Sequence, residues 1–62
     1  MDELNNLTAE IIGFLEEFKV EHAKFAEKGN KSAGRRARKA LSDVKKRVTE
    51  YRKASMAYSE TL

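Results

Sequence analysis

Apolar residues recur through the first half of the chain at Leu4, Ile11, Phe18 and Phe25, seven apart, with Leu7 and Phe14 interleaved and Leu15 and His22 widening the stripe. Spacings of three and four put all of these on one side of a helix, so an amphipathic helix is predicted over roughly residues 3–28. Asp2 and Asn6 are candidate caps for its start, and Glu3 falls in the first turn, where the helix dipole favours negative charge. The pattern breaks at Lys28-Gly29-Asn30-Lys31-Ser32. Gly29 suits the left-handed C-terminal cap and Asn30 or Ser32 suits the start of a second helix; with no proline in the chain, no other breaker competes.

The second half keeps the seven-residue interval. Ala37, Val44, Tyr51 and Tyr58 form one row and Leu41, Val48, Ser55 and Leu62 its neighbour, while Ala33, Ala40, Arg47 and Ala54 flank them with mostly small residues. A second helix is predicted over about residues 33–59, after a loop of about 29–32, and the alanine flank is expected to admit a further helix at close range. Both helices come to about 26 residues, or ~39 Å, and lie flush across so short a loop. The expected fold is therefore all-α, a single domain spanning residues 1–62 and built as an antiparallel helical hairpin of two long amphipathic helices.

A hairpin covers only one side of each stripe, and Ile12 and Val20 lie off the main stripe of the first helix. Pairing of two hairpins into a homodimeric four-helix bundle is expected, with Leu7, Ile11, Phe14, Phe18, Val48 and Tyr51 as the oligomer interface. A single long helical pair or a larger oligomer fits the same pattern. Size points the same way, because a lone core in a chain of 62 residues seldom supplies more than ~3–5 kcal/mol. There is no cysteine for a disulfide and only one histidine, so neither covalent staples nor a zinc site is open to the chain.

Charge then changes the picture. Residues 1–30 hold three lysines against seven acids, a net of −4, and residues 31–62 hold ten basic groups against three acids, a net of +7. Within the basic half the doublets Arg38-Lys39, Lys45-Lys46 and Arg52-Lys53 recur every seven residues, so they stack along one side of the helix about 10.5 Å apart. Lys31 and Arg35 carry the positive charge towards the loop. A rod of spaced cations suits a polyanion such as double-stranded DNA. The expected mode is phosphate contact without base reading, since base reading draws on bidentate Asn and Gln as well as Arg, and the ridge has neither.

Weaker readings stand beside this one. Glu3, Glu10 and Glu17 also repeat every seven residues, and an antiparallel hairpin brings Glu10 and Glu17 near Arg47 or Arg52, so part of the basic helix is expected to be neutralised internally. The alternative function is a protein–protein interaction module whose basic helix pairs with an acidic partner. Membrane-surface binding is disfavoured by the alanine-rich apolar face of the second helix. The acidic Met1-Asp2-Glu3 opening and an apolar cluster of only five residues, Ile11 to Leu15, fit neither a signal peptide nor a membrane span, so a cytoplasmic location is expected. Tyr51 and Tyr58 sit in an apolar row and are expected to pack rather than stack on bases. His22, between Phe18 and Phe25, reads as a packed or rim residue. No acid/base pair, nucleophile arrangement or complete phosphate loop is assigned, so no enzyme, cofactor, metal or small-molecule substrate is expected.

The stretch Glu27-Lys28-Gly29-Asn30-Lys31-Ser32-Ala33-Gly34-Arg35-Arg36-Ala37-Arg38, followed by Tyr51-Arg52-Lys53-Ala54-Ser55, resembles the N-terminal region of the bacterial histone-like proteins first known from chlamydiae. The resemblance implies a linker-histone-like nucleoid protein that binds DNA with little sequence preference and self-associates through its helical region. In that family a Lys/Ala/Pro-rich tail supplies much of the DNA affinity. The 62 residues contain no such stretch, so binding by this chain is expected to come from the helical ridge. Lys31, Arg35, Arg36, Arg38, Lys39, Arg52 and Lys53 coincide with the matched stretches, whereas Lys45 and Lys46 rest on the spacing alone.

Overall fold

The computed structural model describes residues 1–62, in which α1 (Asp2–Lys28) runs into α2 (Lys31–Ser59) across the two residues Gly29 and Asn30. Gly29 takes the left-handed conformation at φ 66°, and its N–H donates to the Phe25 carbonyl at 3.0 Å, closing the last turn of α1. Asn30, rather than Ser32, caps α2: its side-chain oxygen accepts from the Ala33 N–H at 3.1 Å. The start of α1 differs from expectation. Met1 occupies the cap position without a side-chain bond, and Asp2 lies inside the first turn beside Glu3. There both carboxylates act through the helix dipole.

The two helices pack antiparallel along their whole length into a rod of 48 × 14 × 11 Å. Its radius of gyration is 14.5 Å, against about 10.6 Å for a compact chain of this length. The seam of α1 is read in steps of three and four through Leu4, Leu7, Ile11, Phe14, Phe18 and Glu21. That of α2 runs through Ala33, Ala37, Ala40, Val44, Arg47 and Ala54, and every one of these residues is buried or half-buried. Leu7, Ile11, Phe14 and Phe18 are thus engaged within one chain.

Helix α2 presents a different row to its partner than hydropathy suggests. The flanking row of Ala33 and Ala40 lies inside at 0 and 1 % exposure, beside Ala37 of the first row at 5 %, while Leu41 and Val48 of the neighbouring row stay 44 and 39 % exposed. The physical reason is distance. Beside a short connection the helix axes run close, and α1 brings bulky Phe18 and Phe25 to that end, so only methyl groups or less fit opposite. At Gly34 even a methyl is too much: a Cβ there would sit 2.8 Å from the Phe25 ring.

Gly34 and Phe25 should therefore couple. In a Phe25→Ala background Gly34→Ala is expected to stabilise the helix by about 1 kcal/mol. In the parent the ring must swing away and most of that gain should vanish, a difference to be read from a double-mutant cycle of thermal or urea unfolding. Equal effects in both backgrounds would show that the ring does not rest on Gly34.

Candidate nucleic-acid interface

The seam gives the hairpin two unlike flanks. On one, Arg36 of α2 donates to Glu21 of α1, and Arg47 reaches both Glu10 at 3.0 Å and Glu50 at 3.5 Å. The other flank is formed by Thr8, Leu15 and His22 of α1 with Leu41, Val48 and Ser55 of α2, and has no charged residue. A shallow groove between Thr8, Ile11, Ile12 and Tyr51 opens on it. His22 is exposed there, its ring stacked on Phe18 at a centroid distance of 5.7 Å. Tyr51 and Tyr58 are not enclosed, at 39 and 37 % exposure; Tyr58 lines a second groove with Leu4 and Ala54 at the open end of the hairpin.

Away from the seam, the outer face of α2 carries the basic doublets. Arg38, Lys45 and Arg52 border the apolar flank and Lys39, Lys46 and Lys53 border the polar one, all exposed. Lys31 and Arg35 lie at the loop end, where α2 has no acid in its first turn and the positive end of its dipole adds to their field. Of the nine cations singled out in the sequence, two have carboxylate partners: Arg36 is held by Glu21, and Lys39 meets Asp43 one turn on at 3.3 Å. The other seven, Lys31, Arg35, Arg38, Lys45, Lys46, Arg52 and Lys53, make no ion pair within the chain. Internal neutralisation takes the expected Glu10–Arg47 contact, whereas Glu17 and Arg52 pair with nothing.

Glu21 is the contact that sequence reading missed. It occupies a seam position three residues after Phe18 and four before Phe25, yet the wider stripe had drawn attention to His22 instead. The residue is 8 % exposed, and its carboxyl is held below the usual carboxylate range, first by the hydrogen bond from Arg36 and further by the charges of Arg36 and Lys24, against the opposing effect of burial. Lys24 lies 3.5 Å away on the same helix. The signal available was an acid within an apolar heptad row, which asks for a cation on the facing helix. No three His, Cys, Asp or Glu side chains converge where they could hold a metal ion, and no helix is long and apolar enough to cross a membrane.

A slender helical rod with Glu21 and Glu10 paired across its seam and unpaired cations along one outer face has the build of a small basic architectural protein. The comparison with family models agrees: the chain belongs to the family described as Histone H1-like protein Hc1, whose model matches residues 1–61. No curated protein and no solved structure matches the chain.

Because the Glu21 carboxyl is easier to ionise in the folded state, its pairing stabilises the fold above the ordinary value of 4.5 and is lost as pH falls through the lowered one. Arg36→Gln is accordingly expected to lower the thermal midpoint at neutral pH, with the gap to the parent narrowing as pH drops below 4.5. A gap independent of pH across that range would mean that Arg36 acts by packing alone.

Proposed function

We propose that the chain binds duplex DNA through its phosphates, without reading sequence, by the cationic outer face of α2, and that it does so as a homodimer paired across the apolar flank. The observation that carries the reading is the set of seven unpaired cations on the face of α2 turned away from the seam. In this reading the acids of α1 are spent at the seam or face away from the ridge, so the positive surplus of the second half is directed outward. The family description, histone H1-like, supports DNA as the polyanion and the bacterial nucleoid as its place.

Pairing is supported by what one hairpin leaves uncovered. Only seven of 62 residues are buried, whereas Ile12, Leu15, Leu41, Val48 and Tyr51 are 39–53 % exposed on or beside the charge-free flank. Apolar surface of that kind, in a chain so short of core, favours a second copy over water. Two-fold pairing across it places a cationic face on each hairpin of the dimer, both outside the contact.

Gel shifts on unrelated duplexes over a salt series test the binding. If six phosphates are engaged, log K is expected to fall against log salt with a slope of about −5, and Lys46→Glu with Lys53→Glu should abolish retention at unchanged helicity. No binding even at ~50 mM salt would replace this reading with a protein partner of acidic surface. Val48→Asp, which buries an unpaired charge in the proposed contact, is expected to halve the mass seen by light scattering. An unchanged mass would place the contact elsewhere.

A further inference from the structure

The outermost line of α2, midway between the two basic rows, is occupied by Arg35, Ser42, Thr49 and Met56. Residues three and four apart on a helix are neighbours, with Cβ atoms about 5–6 Å from each other. Ser42 is therefore ringed by Arg38 and Lys39 one turn before it and Lys45 and Lys46 one turn after; Thr49 is ringed by Lys45, Lys46, Arg52 and Lys53. Each hydroxyl sits at the centre of four cations, Lys45 and Lys46 being common to both rings so that the two share six in all, and both residues are exposed.

Four other hydroxyls are used internally, while those of Ser59, Tyr51 and Tyr58 are unbonded but lie outside the two rings of cations. Thr8, Ser55 and Thr61 donate to the carbonyls of Leu4, Arg52 and Tyr58 at 2.8, 3.1 and 2.7 Å, and the Ser32 oxygen accepts from Arg35 at 3.2 Å. Ser42 and Thr49 make no such bond, so their donors face outward unspent. Serine and threonine are also poorer helix formers than alanine, which leaves these two positions a cost with no return inside the hairpin.

We propose that Ser42 and Thr49 complete two phosphate seats, each taking one phosphodiester of a nucleic-acid backbone, in which four cations supply the charge and the hydroxyl donates a directed hydrogen bond to a non-bridging oxygen. The inference rests on the DNA-binding reading above and gives it residues that charge counting does not find. The seats are about 10.5 Å apart along α2. They are unequal. Lys39 is drawn towards Asp43 at 3.3 Å, so the Ser42 seat has one cation partly engaged, while all four around Thr49 are free.

The distinguishing property of a hydroxyl contact is that it adds affinity without releasing a counterion. Ser42→Ala with Thr49→Ala is expected to weaken binding to a short duplex by roughly three- to tenfold while leaving the salt slope unchanged. Lys46→Ala, in contrast, should weaken binding and make the slope shallower by about 0.9. Thr49→Ala alone should cost more than Ser42→Ala, and Thr49→Ser should retain parental affinity. Because alanine raises helix propensity, the double variant should melt no lower than the parent, so a loss of affinity cannot be assigned to unfolding. Parental affinity in the double-alanine variant would overturn the seats and leave the DNA-binding reading standing, as would a loss accompanied by a shallower salt slope, since the hydroxyls would then act only by placing the cations. Failure of the parent itself to bind any duplex would overturn both.

Discussion

The close approach of the two helices beside their two-residue connection decides the rest of the molecule. Phe18 and Phe25 bring bulk from α1, and Ala33, Gly34, Ala37 and Ala40 yield space on α2, so the rotation of α2 about its axis is fixed at its first three turns. Once that rotation is set, straight continuation of the helix carries it along the rod. Leu41 and Val48 then fall on one flank and the basic doublets on the outer face, and Arg36 and Arg47 fall where α1 holds Glu21 and Glu10. Steric fit at one end thus determines electrostatics over the whole length.

The polar flank shows how the opposite charges of the two halves are combined. Arg36 and Arg47 are the arginines nearest the seam, and each extends a long apolar stem along it before meeting a carboxylate of the other helix. Exposed pairs of this kind contribute little, whereas the Glu21 carboxylate is nearly enclosed and its loss of the Arg36 partner would leave an unpaired charge at the seam. Its worth lies in register as much as in stability. Slipping the helices by one turn would separate Glu21 from Arg36 and Glu10 from Arg47 together, so the two contacts favour a single alignment.

Much of this was legible in the residues. The interval of seven gave two amphipathic helices, Gly29 marked the end of the first, and the seven-residue recurrence of basic doublets placed them on one face. What escaped was the choice between neighbouring rows on α2. Hydropathy places the Leu41–Val48 row within the apolar arc and the Ala33–Ala40 row on its flank, but which of the two faces α1 was set by the size of Phe18 and Phe25 on the other helix, a property no single-helix pattern contains. Glu21 escaped for a related reason: an acid in an apolar row looks like an interruption until the facing helix supplies Arg36. The bare start at Met1 escaped because side-chain capping is a preference, and at an exposed terminus water can take its place.

The Gly29–Asn30 connection also sets the order in which the hairpin can assemble. Closing so short a loop costs the least chain entropy of any contact between the helices, and each further pair of facing residues then closes only slightly more chain than the last. Zippering therefore starts beside Gly29 and runs outward, with Leu4 and Tyr58 meeting last. The same gradient makes the far end the first to fray, so exchange of backbone amide protons should quicken steadily with distance from the turn.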